Sequence, residues 1–202
     1  MTSTTMTPAA ERIAQLALQH FADRGYDAAS LNDIAVSAGI KKASLYAHFT
    51  GKDELYSSVL NLALQSEQDY VEAQYTSEKS AQAPGERYVV NLQSRYTESA
   101  ALRFLLRAAF YPPASIEREV KAGFEHYLDG IRGRFQISLE TRYPAMDSGR
   151  AGLLAEAYLA LIDSLHVELI YGNEAAYSRR LDALRQLISI VGLPLVAGTA
   201  SK

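Results

Sequence analysis

Between Ser30 and Lys52 two short helical stripes are separated by a single glycine, and that arrangement dictates how the chain folds there. Leu31, Ile34, Ala35 and Ala38 recur at the i, i+3, i+4, i+7 spacing of one buried helix face, and Ser30 with Asp33 three residues on makes a capping-box start. Gly39 stands where a left-handed residue ends a helix, and after a brief turn Leu45 and Phe49 form a second inward pair at i, i+4. This is a helix-turn-helix pattern. Each residue turns ~100° about the axis, so Ala43 and Ala47 land opposite the core, flanked by Ser44 and Tyr46. A crest of small residues suits a major groove, where alanine touches a thymine methyl and serine bonds several base edges. Lys42, Tyr46, His48 and Lys52 have the reach for phosphates at the groove walls, and Ser30, opening the first helix, joins them as a candidate DNA contact. By pattern alone the same residues also fit a solvated helix pair in an all-α domain.

The remaining chain reads as helices throughout, so the expected fold class is all-α. Thr7-Pro8 is an N-cap followed by proline at the first helical position, and Ile13, Leu16, Ala17, His20 and Phe21 form a stripe that stops before Gly25. This helix braces the other two as a three-helix head. Acidic Asp53 and Glu54 favour a helix start at Lys52, and no glycine or proline follows until Pro84. A single linking helix over 52–75 is therefore expected, between a DNA-binding domain at 1–52 and a larger domain at 53–202. Residues 76–85 read as a loop, and Tyr111-Pro112-Pro113 ends a helix because two prolines cannot continue one. Gly123, Gly130 and Gly133 interrupt the next helical stripe, as tight packing or a kink would require.

Residues 151–171 are apolar nearly all round, with Leu153, Leu154, Ala157, Tyr158, Leu161, Ile162, Leu165, Leu169 and Ile170 spread over every face. Such a helix must be buried on more than one side. The simplest arrangement packs one side on its own domain and the other on a second copy, so that 150–191 builds a four-helix bundle across a two-fold axis. A thick core within one chain is the alternative.

Composition narrows the partners. A net charge of −3 has the wrong sign for a protein that coats nucleic acid indiscriminately, yet 37–52 carries Lys41, Lys42 and Lys52 with no carboxylate. A small positive strip on an acidic body suits a site-specific binder that needs two copies for affinity. No apolar run reaches the length of a membrane span and no signal-like region opens the sequence, so a cytoplasmic protein without membrane contact is expected.

The string Leu31-Asn32-Asp33-Ile34-Ala35, Ala38-Gly39-Ile40, Ser44-Leu45-Tyr46, His48-Phe49 and Lys52-Asp53-Glu54-Leu55, preceded by Phe21-Ala22-Asp23-Arg24-Gly25-Tyr26, resembles the DNA-binding domain of TetR-family transcriptional regulators. The resemblance implies a homodimeric, usually repressing transcription factor on a palindromic double-stranded operator, with a larger helical domain that binds a small-molecule inducer. Two positions depart from the family pattern. Lys41 replaces the serine or threonine that often caps the recognition helix, which weakens the cap, and Ala47 replaces a larger polar residue.

Catalytic signatures are absent: there is no Gly-x-Ser-x-Gly elbow, no phosphate-binding glycine loop, no His-Glu-x-x-His pair and no cysteine. No catalytic residue, metal ligand or cofactor is expected. Polar groups do interrupt the apolar helices of the larger domain, and pockets combine apolar walls with a few such anchors. The expected ligand cavity is lined by Phe104, Phe110, Tyr127 and Tyr158, with Asp163 or His166 as its polar anchor. Against a ligand-responsive regulator stand two other readings, an all-helical small-molecule enzyme and a protein-binding regulator without DNA affinity.

Overall fold

The computed structural model describes residues 6–191, and among these every regular element is helical. In chain order they are α1 (Pro8–Ala28), α2 (Leu31–Ser37), α3 (Lys42–Leu45), α4 (Lys52–Thr76), α5 (Glu86–Glu98), α6 (Ala100–Phe110), a 3-10 turn (Ala114–Ile116), α7 (Glu117–Arg142), α8 (Ser148–Tyr171) and α9 (Glu174–Ile190). Side-chain caps set several of the boundaries. Thr7 Oγ1 accepts from the Ala10 amide at 3.2 Å, Ser99 Oγ from Leu102 at 3.3 Å, Asp147 Oδ2 from Arg150 at 3.0 Å and Asn173 Oδ1 from Ala176 at 3.0 Å.

The first helix breaks where its stripe is expected to stop, at Gly25 with φ 75° and ψ 178°, and a short further helical piece runs on to Ala28. One expected boundary shifts. The helix containing Leu45 is a single turn with no side-chain cap from Lys41, and Phe49 follows in turn structure, its amide bonded to the Leu45 carbonyl at 3.1 Å. The stripe Tyr177, Leu181, Leu184, Leu187, Ile188 and Val191 predicts a last helix that stops before Gly192, a residue outside those described.

The chain forms two compact units, one built from the residues up to Ala73 with Asn91–Ile131, the other from Gln74–Val90 with the residues from Arg132 onward. In the first, α1 supplies Ile13, Ala14, Ala17 and Phe21 to a core completed by Ile34, Leu45, Phe49, Leu55, Val59, Leu60, Phe104 and Leu105. Its centre is aromatic. The Phe21 and Tyr56 rings meet edge-on at 4.8 Å, and Tyr56 reaches Phe104 at 4.8 Å. Of the three glycines on α7, Gly123 faces Leu64 so closely that a Cβ would lie 2.7 Å from its Cδ1, whereas Gly130 and Gly133 have open space. Tight packing therefore accounts for Gly123 alone.

In the second unit α8 ends in left-handed Gly172 and the chain turns directly into α9. Arg180 ties the pair, donating to the Ser164 carbonyl at 2.9 Å and pairing with Glu168 at 2.5 Å. Phe135 and Tyr158 stack at 3.9 Å, and the Tyr158 hydroxyl donates to the Gly85 carbonyl at 3.0 Å. Arg142 gathers the 77–85 loop by donating to the carbonyls of Ser80 and Gln82 at 2.8 and 2.7 Å. Glu78 in that loop takes the Arg87 amide and the Ser138 hydroxyl; burial raises its carboxyl pKa against the lowering effect of these bonds. Apolar side chains remain on the surface of this unit, with Leu153 71%, Tyr171 69%, Leu187 48% and Ile190 54% exposed.

Candidate nucleic-acid interface

Helix α2 is closed at both ends by local chemistry. Ser30 Oγ accepts from the Asn32 amide at 3.2 Å. The capping box expected with Asp33 does not form, because Arg24 draws the Asp33 carboxylate into an ion pair at 3.0 Å. At the other end Gly39 adopts φ 69°, its amide reaches the Val36 carbonyl at 3.0 Å, and the Ile40 amide reaches Ala35 at 3.0 Å. These two bonds are the Schellman pattern, which needs a left-handed residue at that position.

The chain then re-enters a helical turn whose inward side chains, Leu45 and Phe49, are buried at 0% and 3% exposure. Their burial forces the intervening residues outward. Lys42, Ala43, Ser44, Tyr46 and Ala47 are exposed, Tyr46 at 48%, and His48 is half-buried beside them. Ser30 is half-buried at the start of α2 with its hydroxyl used as the cap.

The ridge is held from behind and from below. Arg12 on α1 donates to the Ala38 carbonyl at 3.3 Å, and the His20 ring lies 2.9 Å from the Ser37 hydroxyl. Below it, the Thr50 amide and hydroxyl both donate to Glu54 at 2.6 Å, which lowers the Glu54 pKa by stabilising its charged form. Lys52, half-buried at the first turn of α4, donates to the Asp27 carbonyl at 3.2 Å. Helix α6 grips the end of α1: Arg107 Nε donates to the Ala22 carbonyl at 3.1 Å, and Arg103 lies 3.8 Å from the Asp23 carboxylate. Arg107, Thr50, Glu54 and Tyr26 escape a reading of the sequence as site residues, because their partners are set by packing and not by local periodicity.

The six residues expected around a ligand fall in both compact units. In the first, Phe104 is fully buried against Tyr56 and Phe21, Tyr127 is buried beside Phe124 with ring centroids 5.9 Å apart, and Phe110, the last residue of α6, is 42% exposed. In the second, Tyr158 is buried under Gly85. His166 is 1% exposed with neither ring nitrogen hydrogen-bonded, and its Nδ1 is 3.7 Å from half-exposed Asp163. Phe104, Tyr127, Tyr158 and His166 thus present almost no free surface in this state.

Comparison with known proteins bears on both the head and the fold. Residues 13–59 match the family described as "Bacterial regulatory proteins, tetR family". Over 46 residues the chain is 46% identical to the biofilm operon icaADBC HTH-type negative transcriptional regulator IcaR of Staphylococcus epidermidis and 48% identical to IcaR of Staphylococcus aureus. That stretch is 23% of this chain and 25% of the length of those relatives. Solved structures extend the likeness in fold. A putative TetR-family transcriptional regulator from Mesorhizobium loti superposes with a TM-score of 0.68 at 24% identity, over 91% of this chain and 96% of that one. A TetR-family regulator from Cytophaga hutchinsonii gives 0.70 at 12% identity, over 95% and 100%. The chain thus carries a segment matching the family's helix-turn-helix at its amino end, and along nine-tenths of its length it shares the fold of TetR-family regulators.

Proposed function

We propose that the chain is a sequence-specific DNA-binding repressor, acting as a homodimer and released from its operator by a small molecule. The exposed ridge of Ala43, Ser44, Tyr46 and Ala47 above buried Leu45 and Phe49 is the observation that carries this reading. Small side chains let the turn approach base edges, while Lys42, Tyr46, His48, Lys52 and the Ser30 end of α2 meet the phosphates. DNA contact is assigned to residues 1–52, and ligand and dimer contacts to 53–202.

One head with few cations gives little affinity, and a two-fold pair spans two half-sites ~34–36 Å apart. The exposed Leu153, Tyr171, Leu187 and Ile190 of α8 and α9 are the apolar surface that a second copy would cover. For induction, α4 runs unbroken from Lys52 to Thr76, so a ligand that shifts its later turns shifts Lys52. The residues proposed to meet that ligand are Phe104, Phe110 and Tyr127 in the first unit, or Tyr158, Asp163 and His166 in the second. Such a ligand needs only to favour the mismatched spacing by a few kcal/mol.

Selection from a random duplex library at physiological salt tests the reading. Enrichment of one palindromic sequence supports it; a library that stays unenriched after repeated rounds contradicts it.

A further inference from the structure

Tyr26 stands directly after the break at Gly25 and faces three elements at once. Its ring is fixed on one side by an edge contact with Tyr56 at 5.3 Å and stacks at 6.5 Å on Phe21. Its hydroxyl donates to Asp53 in the first turn of α4, and Ser115 in the 3-10 turn hydrogen-bonds the same phenol. Burial, then the Asp53 carboxylate, raises the phenol pKa, so the group stays a proton donor. The free face of the ring carries Lys52, whose Nζ lies 4.5 Å from the centroid while also donating to the Asp27 carbonyl.

A lysine ammonium sits on a flexible four-carbon stem, and ordering that stem on a phosphate costs side-chain entropy. Here the stem is ordered already, and only one of three ammonium donors is used by Asp27. We propose that Tyr26 is a positioning residue for DNA binding, its ring seating the Lys52 ammonium at the groove wall before DNA arrives. The inference rests on the reading of Lys52 as a phosphate contact and goes beyond it by naming what places that contact. Tyr26 touches no DNA in this account; it acts through Lys52 alone.

A double-mutant cycle on the selected palindrome separates the proposal from a general loosening of the head. Tyr26→Leu is expected to weaken binding about tenfold, one ring contact being lost in each of two heads, and by less than about twofold when Lys52 is already alanine. Tyr26→Phe keeps the ring and is expected to lose less than about twofold. Equal losses from Tyr26→Leu in both backgrounds, or a Tyr26→Phe loss as large as that of Tyr26→Leu, overturns the positioning role. If Lys52→Ala alone leaves both affinity and its salt dependence unchanged, the phosphate reading itself falls, and the positioning role with it. A measurement without Tyr26 variants covers a failure of Tyr26→Leu to fold. In protein carrying ¹³C-dimethylated lysines, the Lys52 signal, identified by its loss in Lys52→Ala, is expected upfield of the other lysines from the ring current. A Lys52 signal at the position of the exposed lysines overturns the seating.

Discussion

Arg107 and Ala22 lie 85 positions apart in sequence, yet the Arg107 guanidinium donates to the Ala22 carbonyl at 3.1 Å and reaches the Asp23 carbonyl at 3.4 Å. Those carbonyls belong to the last regular turn of α1 before the Gly25 break, where helical acceptors lose their partners. The helix that braces the DNA-binding turn is therefore finished by a side chain from α6. Arg107→Ala is expected to destabilise by about 1–2 kcal/mol, lowering Tm by roughly 2–6 °C, and to weaken operator binding; calorimetry and a binding titration check both. Arg107→Lys keeps the charge without the planar fork and is expected to recover only part of the loss.

Leu45 carries the turn that presents the ridge. It is wholly buried in an element of only four helical residues, so nothing local holds that turn when the side chain is removed. Leu45→Ala is expected to cost about 2–5 kcal/mol and to abolish operator binding. Ala47→Ser, on the exposed side, is expected to change stability by less than about 0.5 kcal/mol while altering which base pairs are preferred, as parallel denaturation and selection experiments would show.

Glu54 gives the turn between α3 and α4 a pH dependence. Two Thr50 donors hold its pKa below the ordinary value of 4.5, so its folded form releases a proton more readily than the unfolded chain. The resulting stability is present above pH 4.5 and is lost as pH falls through the lowered folded pKa. Wild type is expected to exceed Glu54→Gln in stability at neutral pH, and the gap is expected to close in acid. A gap that widens in acid contradicts this.

The exposed apolar residues of α8 and α9 predict an association that charge would break. Leu153→Glu with Leu187→Glu is expected to turn a dimer into a monomer by light scattering and to remove high-affinity operator binding, with each chain's helicity retained. A double variant that stays dimeric places the interface elsewhere.

Much of this was legible in the sequence where the controlling interactions are local. The i, i+4 pair Leu45 and Phe49, the left-handed Gly39 and the caps at Thr7 and Asp147 each act within a turn or two. Interactions set by tertiary packing were not. Asp33 had the spacing for a capping box, but Arg24, nine positions earlier, offers it a full charge. Phe104 and Phe110 share the aromatic pattern of a pocket wall, yet one is wholly buried beside Tyr56 and the other is 42% exposed at a helix end. Periodicity finds buried faces and cannot separate a packed core from a ligand cavity. The Arg107 contact left no sequence signal, since an arginine on an exposed helix position points nowhere in particular until the fold brings carbonyls to it.

Entry of the ridge at 43–47 into duplex DNA is directly measurable, because the sequence holds no cysteine. Ala47→Cys introduces a single thiol at the exposed crest, and its alkylation rate can be followed in the free protein, with the selected palindrome and with a scrambled duplex of equal length. Rapid alkylation of the free protein and strong protection by the palindrome alone are expected. Equal alkylation rates under all three conditions, while the palindrome is bound, would contradict entry of the ridge.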